Sequence, residues 1–308
     1  MKFYVGITDY DWFRYLSSIP DVDEVNFWQP GGNRIFKTLS IGEPFLFKLH
    51  SPRNFIVGGG FFAHSTILPV SMAWSAFGIK NGARSIDEMR SRIEKYRRQS
   101  PHSEDYRIGC ILLTQTFFFD ENEWIPIPEN WKLNIVQGKT YDLSDVYGSR
   151  LWTEVQLRAH MKPTISQEHP SSIDGSRYGP PVQITPRLGQ GSFRVIVTDA
   201  YHRKCAVTAE RTLPALDAVH IKPFGRNGPH QVNNGVLLRS DIHRLFDIGY
   251  VTISRDNQFL VSRKIREDYE NGRDYYEMHG RILHLPGQPS LRPAKEFINW
   301  HNENVYLG

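Results

Sequence analysis

With 308 residues the chain is long enough for two domains that each bury a core, and too long to be one small module. Hydrophobic residues are 40% and charged ones 23%, an ordinary globular composition, and no run approaches the roughly 18 uncharged apolar residues that a membrane span requires. The net charge of +4 lies wholly in the second half: residues 1–150 balance 17 basic against 17 acidic side chains, whereas Arg177–Arg244 carries ten against four, which is either an ordinary basic surface or the footprint of a polyanion partner.

The N-terminus MKFYVGITDYDWFRY carries Asp9 and Asp11 and lacks an apolar stretch ending in a small-residue cleavage site, so it reads as mature and cytoplasmic. The runs FYVGI, PFLFKL, FIVGGGFF, IGCILLTQTFFF and NIVQG are rich in β-branched and aromatic residues and read as strands. A helix is predicted through DWFRYLSSI with Asp11 as its cap. A second is predicted over Ser85–Arg98, where Ile86, Met89, Ile93 and Tyr96 fall at helical spacing behind a Ser85/Glu88 capping box. Strands outnumber helices here, which suits a small curved sheet or barrel with helices at its flank. A further helix through DLSDVYGSRLWTEVQLRAHM would place Leu151, Val155 and Leu157 on one face, and it fits either domain. Pro163–Pro186 then packs five Pro, four Ser and two Gly into 24 residues, the composition of a linker. The division expected is 1–140, then helix and linker over 141–185, then 186–308. Beyond it SFRVIVTDAY and LDAVHI read as strands, NGVLLRSDIHRLFDIG as a turn and helix that Gly249 can end, and YVTIS with QFLVSRK as a hairpin. Two cysteines, Cys110 and Cys205, suffice for neither a disulfide framework nor a four-thiolate zinc site and read as buried structural thiols.

Residues 216–253 carry the most chemical information. His220 ends a β-type run, Asn234 follows fourteen residues later, and His243 nine after that on a helix, so the layout is strand, loop, strand, helix. Hydrolysis of a phosphodiester around one metal needs such a set. A neutral imidazole on a strand can take a proton from water near neutral pH, which makes His220 the candidate base. Asn234 can hold the His-bearing loop, and His243 can present a nitrogen to a divalent ion that neutralises charge on the leaving oxygen.

These residues resemble the HNH nucleases of the ββα-metal fold, in which the first His is the general base, the Asn orients it and the last His binds the metal. The stretch from GQGSFRVIVTDAYHRKCAVTAERTLPALDAVHIKPF to HRLFD is similar to a subgroup fused to DNA-reading domains in bacterial restriction endonucleases. Many such enzymes place a second ligand directly before the first His; here that residue is Val219. Asp217 shares the Val219 face of the strand, opposite to His220, and is either a second ligand or a structural hydrogen-bonding group. The resemblance implies a single Mg2+ or Mn2+ ion and, with no paired CxxC motifs, no structural zinc. His230, Lys222, Arg239 and Arg244 are nominated as DNA-contacting or loop residues.

VGITDYDWFRYL, VNFWQPGG, GEPFLFKLHSPRNFIVGGGFF and LPVSMAWSAFG are similar to a PUA-like module of the EVE group, related to domains that flip modified cytosine. A flipped base needs aromatic walls and a few polar groups. Trp28 is the first pocket candidate, with Trp12, Tyr10, Asn26 and Trp74 behind it, although aromatics in a small β-rich domain are more often core. Gly58–Gly60 would allow close approach of a ligand or strand, and Arg34, Lys37, Lys48 and Arg53 could form a local basic patch. The expected molecule is an α+β protein with an EVE-like curved sheet followed by an HNH domain. It would cut double-stranded DNA bearing 5-methylcytosine or 5-hydroxymethylcytosine, and act as a homodimer at least on DNA. A nuclease or nickase for unmodified DNA and an inactive nucleic-acid-binding protein are the alternatives.

Overall fold

A computed structural model describes residues 1–97, 103–132, 134–161 and 187–308, and the linker expected over Pro163–Pro186 lies outside them. The chain divides into two compact units, Met1–Arg187 and Leu188–Gly308. Among the described residues no helix is long and apolar enough to cross a membrane.

The first unit is built on strands β1 (Lys2–Thr8), β2 (Glu24–Gln29), β3 (Pro44–Leu49), β4 (Phe55–Pro69), β5 (Arg107–Phe118), β6 (Ile125–Pro126) and β7 (Gly138–Asp142). They form one open sheet in the order β2-β5-β4-β3-β1-β7, with β6 beside β4. Only β1 and β3 run parallel; every other pair is antiparallel. The run NIVQG forms no strand: pairing with β1 begins at Gly138, where that run ends. Helices α1 (Tyr10–Ser17), α2 (Val70–Phe77), α3 (Ile86–Glu94) and α4 (Val146–Met161) accompany the sheet. Asp9, not Asp11, precedes α1 as its cap residue, and its carboxylate is taken by Tyr96 instead of by the helix backbone. At α3 the Ser85 hydroxyl accepts from the Glu88 N–H, while the Glu88 carboxylate accepts from the backbone of Arg84. Leu151 and Val155 of α4 join a core with Phe3, Val5 and Tyr141, so this helix packs in the first unit; Leu157 is turned outward. At Gly58 and Gly59 a Cβ would fall 2.3 Å from the Phe117 carbonyl oxygen and 2.7 Å from that of Phe45, so the glycine run admits neighbouring strands.

The second unit comprises α5 (Gln190–Ala200), β8 (Leu216–His220), β9 (Gly235–Arg239), α6 (Ser240–Asp247), β10 (Val251–Ile253), β11 (Phe259–Val261), α7 (Lys264–Tyr269), α8 (Arg273–Tyr276) and α9 (Lys295–Asn304). SFRVIVTDAY is helical, not a strand. Phe193, Val197 and Tyr201 recur every fourth residue and are all buried in one core, a burial pattern that outweighs the β-branched run Val195–Thr198. β8 and β9 pair antiparallel with His220 opposite Gly235 and Asp217 opposite Leu238, and β10 and β11 make a second hairpin. Cys205 is buried in this core, Cys110 in the first unit.

Candidate active site and aromatic cavity

The hairpin β8–β9 and the helix α6 that follows it carry the expected triad. Asn234 stands in the turn before β9, fully buried. Its Oδ1 accepts from the Lys222 N–H at 2.9 Å, and its Nδ2 donates to the carbonyls of Lys222 at 2.9 Å and Pro229 at 3.0 Å. One amide thus closes the loop that leaves His220. Gly235 is needed for packing: a Cβ there would lie 2.5 Å from Val197 and 3.0 Å from the Phe193 ring on α5. That ring stacks on His220 with 3.8 Å between centroids and 10° between planes. Burial against it, and then the charge of His230, push the His220 imidazole down to about 4, so the ring is neutral at pH 7.

His243 faces the hairpin from α6. Its Nδ1 lies 3.1 Å from Oδ2 of Asp217, and its Nε2 lies 3.0 Å from Oδ2 of Asp247 one helical turn on. Asp247 first, then Asp217, hold the imidazole above its ordinary value, and burial opposes them. Sequence reading passed over Asp247, although its i+4 spacing from His243 was the available signal.

Among the described residues no three His, Cys, Asp or Glu side chains converge as a metal site. Asp217 and His243 nevertheless fit a hard divalent ion. A carboxylate oxygen and an imidazole nitrogen are donors such an ion takes, and magnesium-type ions take few protein ligands, filling their remaining positions with water and phosphate oxygens. With Nδ1 on the ion, Nε2–H donates to Asp247, the carboxylate–imidazole arrangement that fixes a ligating ring.

The nominated DNA-contacting residues separate. Arg239 is held in a two-pronged ion pair by Asp241, at 2.8 and 2.6 Å. The Lys222 ammonium lies over the Trp300 ring at 5.7 Å, and Arg244 is exposed on α6. His230 is not a loop bystander: its Nδ1 is 2.9 Å from Nε2 of His220.

The first unit holds a cavity of about 360 Å³ whose wall includes Trp12, Phe27, Trp28, Asp9, His50 and Tyr96. Trp28 is fixed by donation from its indole N–H to the Asn81 carbonyl at 3.0 Å. Trp12 forms part of the floor, buried edge-on against Phe27 and Phe47. Three nominated residues are not on this wall. Asn26 is buried, and its amide is taken up by donation to Asn81 Oδ1 at 2.9 Å. Tyr10 borders a separate recess under the Arg53 guanidinium, and Trp74 stands on α2. The basic patch is also broken, since the Lys48 ammonium is buried and donates to Asn54 Oδ1 at 2.7 Å. Asp9, His50 and Tyr96 also line the cavity, brought together from three distant segments that their positions in the sequence do not connect. Tyr96 donates to Asp9, and burial ahead of that bond pushes its hydroxyl up to about 12. The His50 and Tyr96 rings are parallel within 2°, with centroids 6.1 Å apart.

Residues 205–254 match the HNH endonuclease family, and the chain accordingly carries an HNH endonuclease domain. The chain matches no curated protein. Among solved structures it shows a partial likeness to ASCH from Zymomonas mobilis, with 12% identity, coverage of 49% of this chain and 94% of that one, and a TM-score of 0.32. It also shows one to the modification-dependent TagI restriction endonuclease, with 12% identity, coverage of 85% of this chain and 61% of that one, and a TM-score of 0.27.

Proposed function

We propose that this HNH endonuclease is modification-dependent: residues 188–308 hydrolyse the DNA phosphodiester, and the cavity of residues 1–187 receives a modified cytosine, 5-methylcytosine or 5-hydroxymethylcytosine. The observation that carries the nuclease half is the hairpin and helix that bring Asp217 to 3.1 Å from His243, with His220 at the end of the same strand. His220, neutral at pH 7, takes a proton from the attacking water. Asn234 keeps the loop that follows this base in one conformation. Asp217 and His243 hold the ion, and Asp247 orients the His243 ring. When bound, magnesium or manganese supplies positive charge against the phosphate and the leaving oxygen. The reader half is supported by the mixture of aromatic and polar groups around the cavity, which suits a base removed from its stack. One such centre cuts one strand, so a double-strand break takes either two copies on DNA or two sequential cuts by one.

Cleavage of matched duplexes, modified and unmodified, tests the whole reading. Cutting restricted to the modified duplex is the expected result. Equal cutting of both would make the first unit a docking domain, and binding without cutting would leave a nucleic-acid-binding protein.

A further inference from the structure

His220 and His230 share a single hydrogen bond, Nε2 to Nδ1 at 2.9 Å, with their rings inclined at 62°. Each ring is clamped on its own aromatic platform: His220 on Phe193, and His230 on Phe224 at 4.5 Å and 14°. Two platforms and one closed loop leave the pair little freedom to turn. A bond between two imidazole nitrogens needs one N–H and one lone pair, and a neutral imidazole owns one of each. If His230 donated, the only lone pair of His220 would be consumed in the bond and its proton would sit on Nδ1. His220 would then have nothing with which to accept a proton from water. If His220 donates, its Nδ1 lone pair is exposed for that task, and among the described residues Nδ1 has no hydrogen-bond partner.

We infer that His230 is a positioning residue that accepts from Nε2–H of His220 and so fixes the tautomer in which Nδ1 is the base nitrogen. The inference rests on the proposed role of His220 as general base. As the O–H bond of water breaks, its proton goes to Nδ1, the oxygen's electron pair forms the new bond to phosphorus, and the phosphorus–oxygen bond to the leaving sugar oxygen breaks, its electron pair passing to that oxygen, which is protonated by solvent. The resulting imidazolium keeps its Nε2–H bond to His230, which turns a neutral hydrogen bond into a charge-assisted one.

Two measurements on the full-length protein test this. Two-bond 15N–1H correlations on histidine-labelled, metal-free protein at pH 7, with His220 assigned through His220→Ala, are expected to show Nε2 protonated and Nδ1 bare. A wild-type His220 protonated at Nδ1 overturns the inference, and that result does not depend on any His230 variant folding. In cleavage, His230→Phe keeps a ring against Phe224 but removes the acceptor, and kcat is expected to fall roughly 10- to 100-fold with KM nearly unchanged. His230→Asn, which restores a polar atom near the Nδ1 position, is expected to recover most of that loss. A fully active His230→Phe beside an inactive His220→Ala would sink the His230 role alone, whereas an active His220→Ala would sink the base assignment beneath it.

Discussion

Oδ2 of Asp217 and Nδ1 of His243 approach to 3.1 Å, although one belongs to the first strand of the hairpin and the other to the helix behind its second strand. If the pair holds the ion, either substitution weakens metal binding before it weakens DNA binding. Asp217→Asn and His243→Ala are each expected to raise the half-saturating Mn2+ concentration for cleavage by 10-fold or more, with duplex affinity in metal-free buffer changing little. Superimposable metal titrations for wild type and Asp217→Asn would return Asp217 to a purely structural role.

Asn234 stabilises the second unit through three bonds from one buried amide. In Asn234→Ala the Lys222 N–H and the carbonyls of Lys222 and Pro229 lose their partner in a buried place. The cost is about 1–3 kcal/mol, a fall of roughly 4–12 °C in the melting temperature of that unit. Cleavage should fall with it, because the freed loop begins two residues after His220. Calorimetry showing an unchanged melting transition would contradict this account of the loop.

The placement of His220, Asn234 and His243 was legible because they lie within one strand–loop–strand–helix segment, where spacing in the chain translates into spacing in the fold. The helix α5 was not legible, since Val195, Ile196, Val197 and Thr198 favour a strand locally, and the burial of Phe193, Val197 and Tyr201 in one core outweighs them. The cavity was half legible. Trp12 and Trp28 are conspicuous as aromatics, but Asp9, His50 and Tyr96 meet only after β1, β3 and α3 are placed. Asn26 misled because its nearness to Trp28 in sequence says nothing about which buried partner it satisfies; both side chains bond to Asn81.

Acid should destabilise the second unit through two imidazoles, the half-buried His220 and the buried His301. His220 and His301 are both pushed down to about 4, chiefly by burial, whereas an unfolded chain protonates near 6.5. Between those values the unfolded state binds more protons than the native one, so stability is full above pH 6.5 and declines as pH falls toward 4. His243, raised by Asp247 and Asp217, contributes in the opposite sense. Melting temperatures from pH 7.5 to 4.5 should therefore fall, and His220→Phe, which retains a ring on Phe193, should fall less. Parallel curves for the two proteins would remove His220 from this account.

Two arginines bracket His243 in sequence but differ in their surroundings. Arg244 is exposed, while Arg239 is occupied by Asp241. If the second unit contacts phosphates along this helix, Arg244→Ala should lower the slope of log affinity against log salt by about 1. Arg239→Ala should leave that slope unchanged and act through stability instead. Equal slopes for wild type and Arg244→Ala would place the backbone contacts elsewhere.

The reader assignment turns on Trp28, whose indole is tied to the Asn81 carbonyl and forms part of the cavity wall. Binding has to be measured without cutting, so the background is the full-length His220→Ala protein with matched modified and unmodified duplexes. A base held in the cavity loses a stacking surface in Trp28→Ala, at a cost of roughly 1–3 kcal/mol, or about 5- to 150-fold in affinity. Only the modified duplex should pay it, because the unmodified one gains nothing from the cavity. Trp28→Phe should keep most of the preference, and Trp74→Ala, on α2 and off the cavity wall, should keep all of it. Damage to the sheet would weaken both duplexes alike. An equal loss on both in Trp28→Ala, or an equal effect from Trp74→Ala, would therefore remove the cavity as the site that distinguishes modified DNA, and leave the HNH domain to be explained by another means of selection.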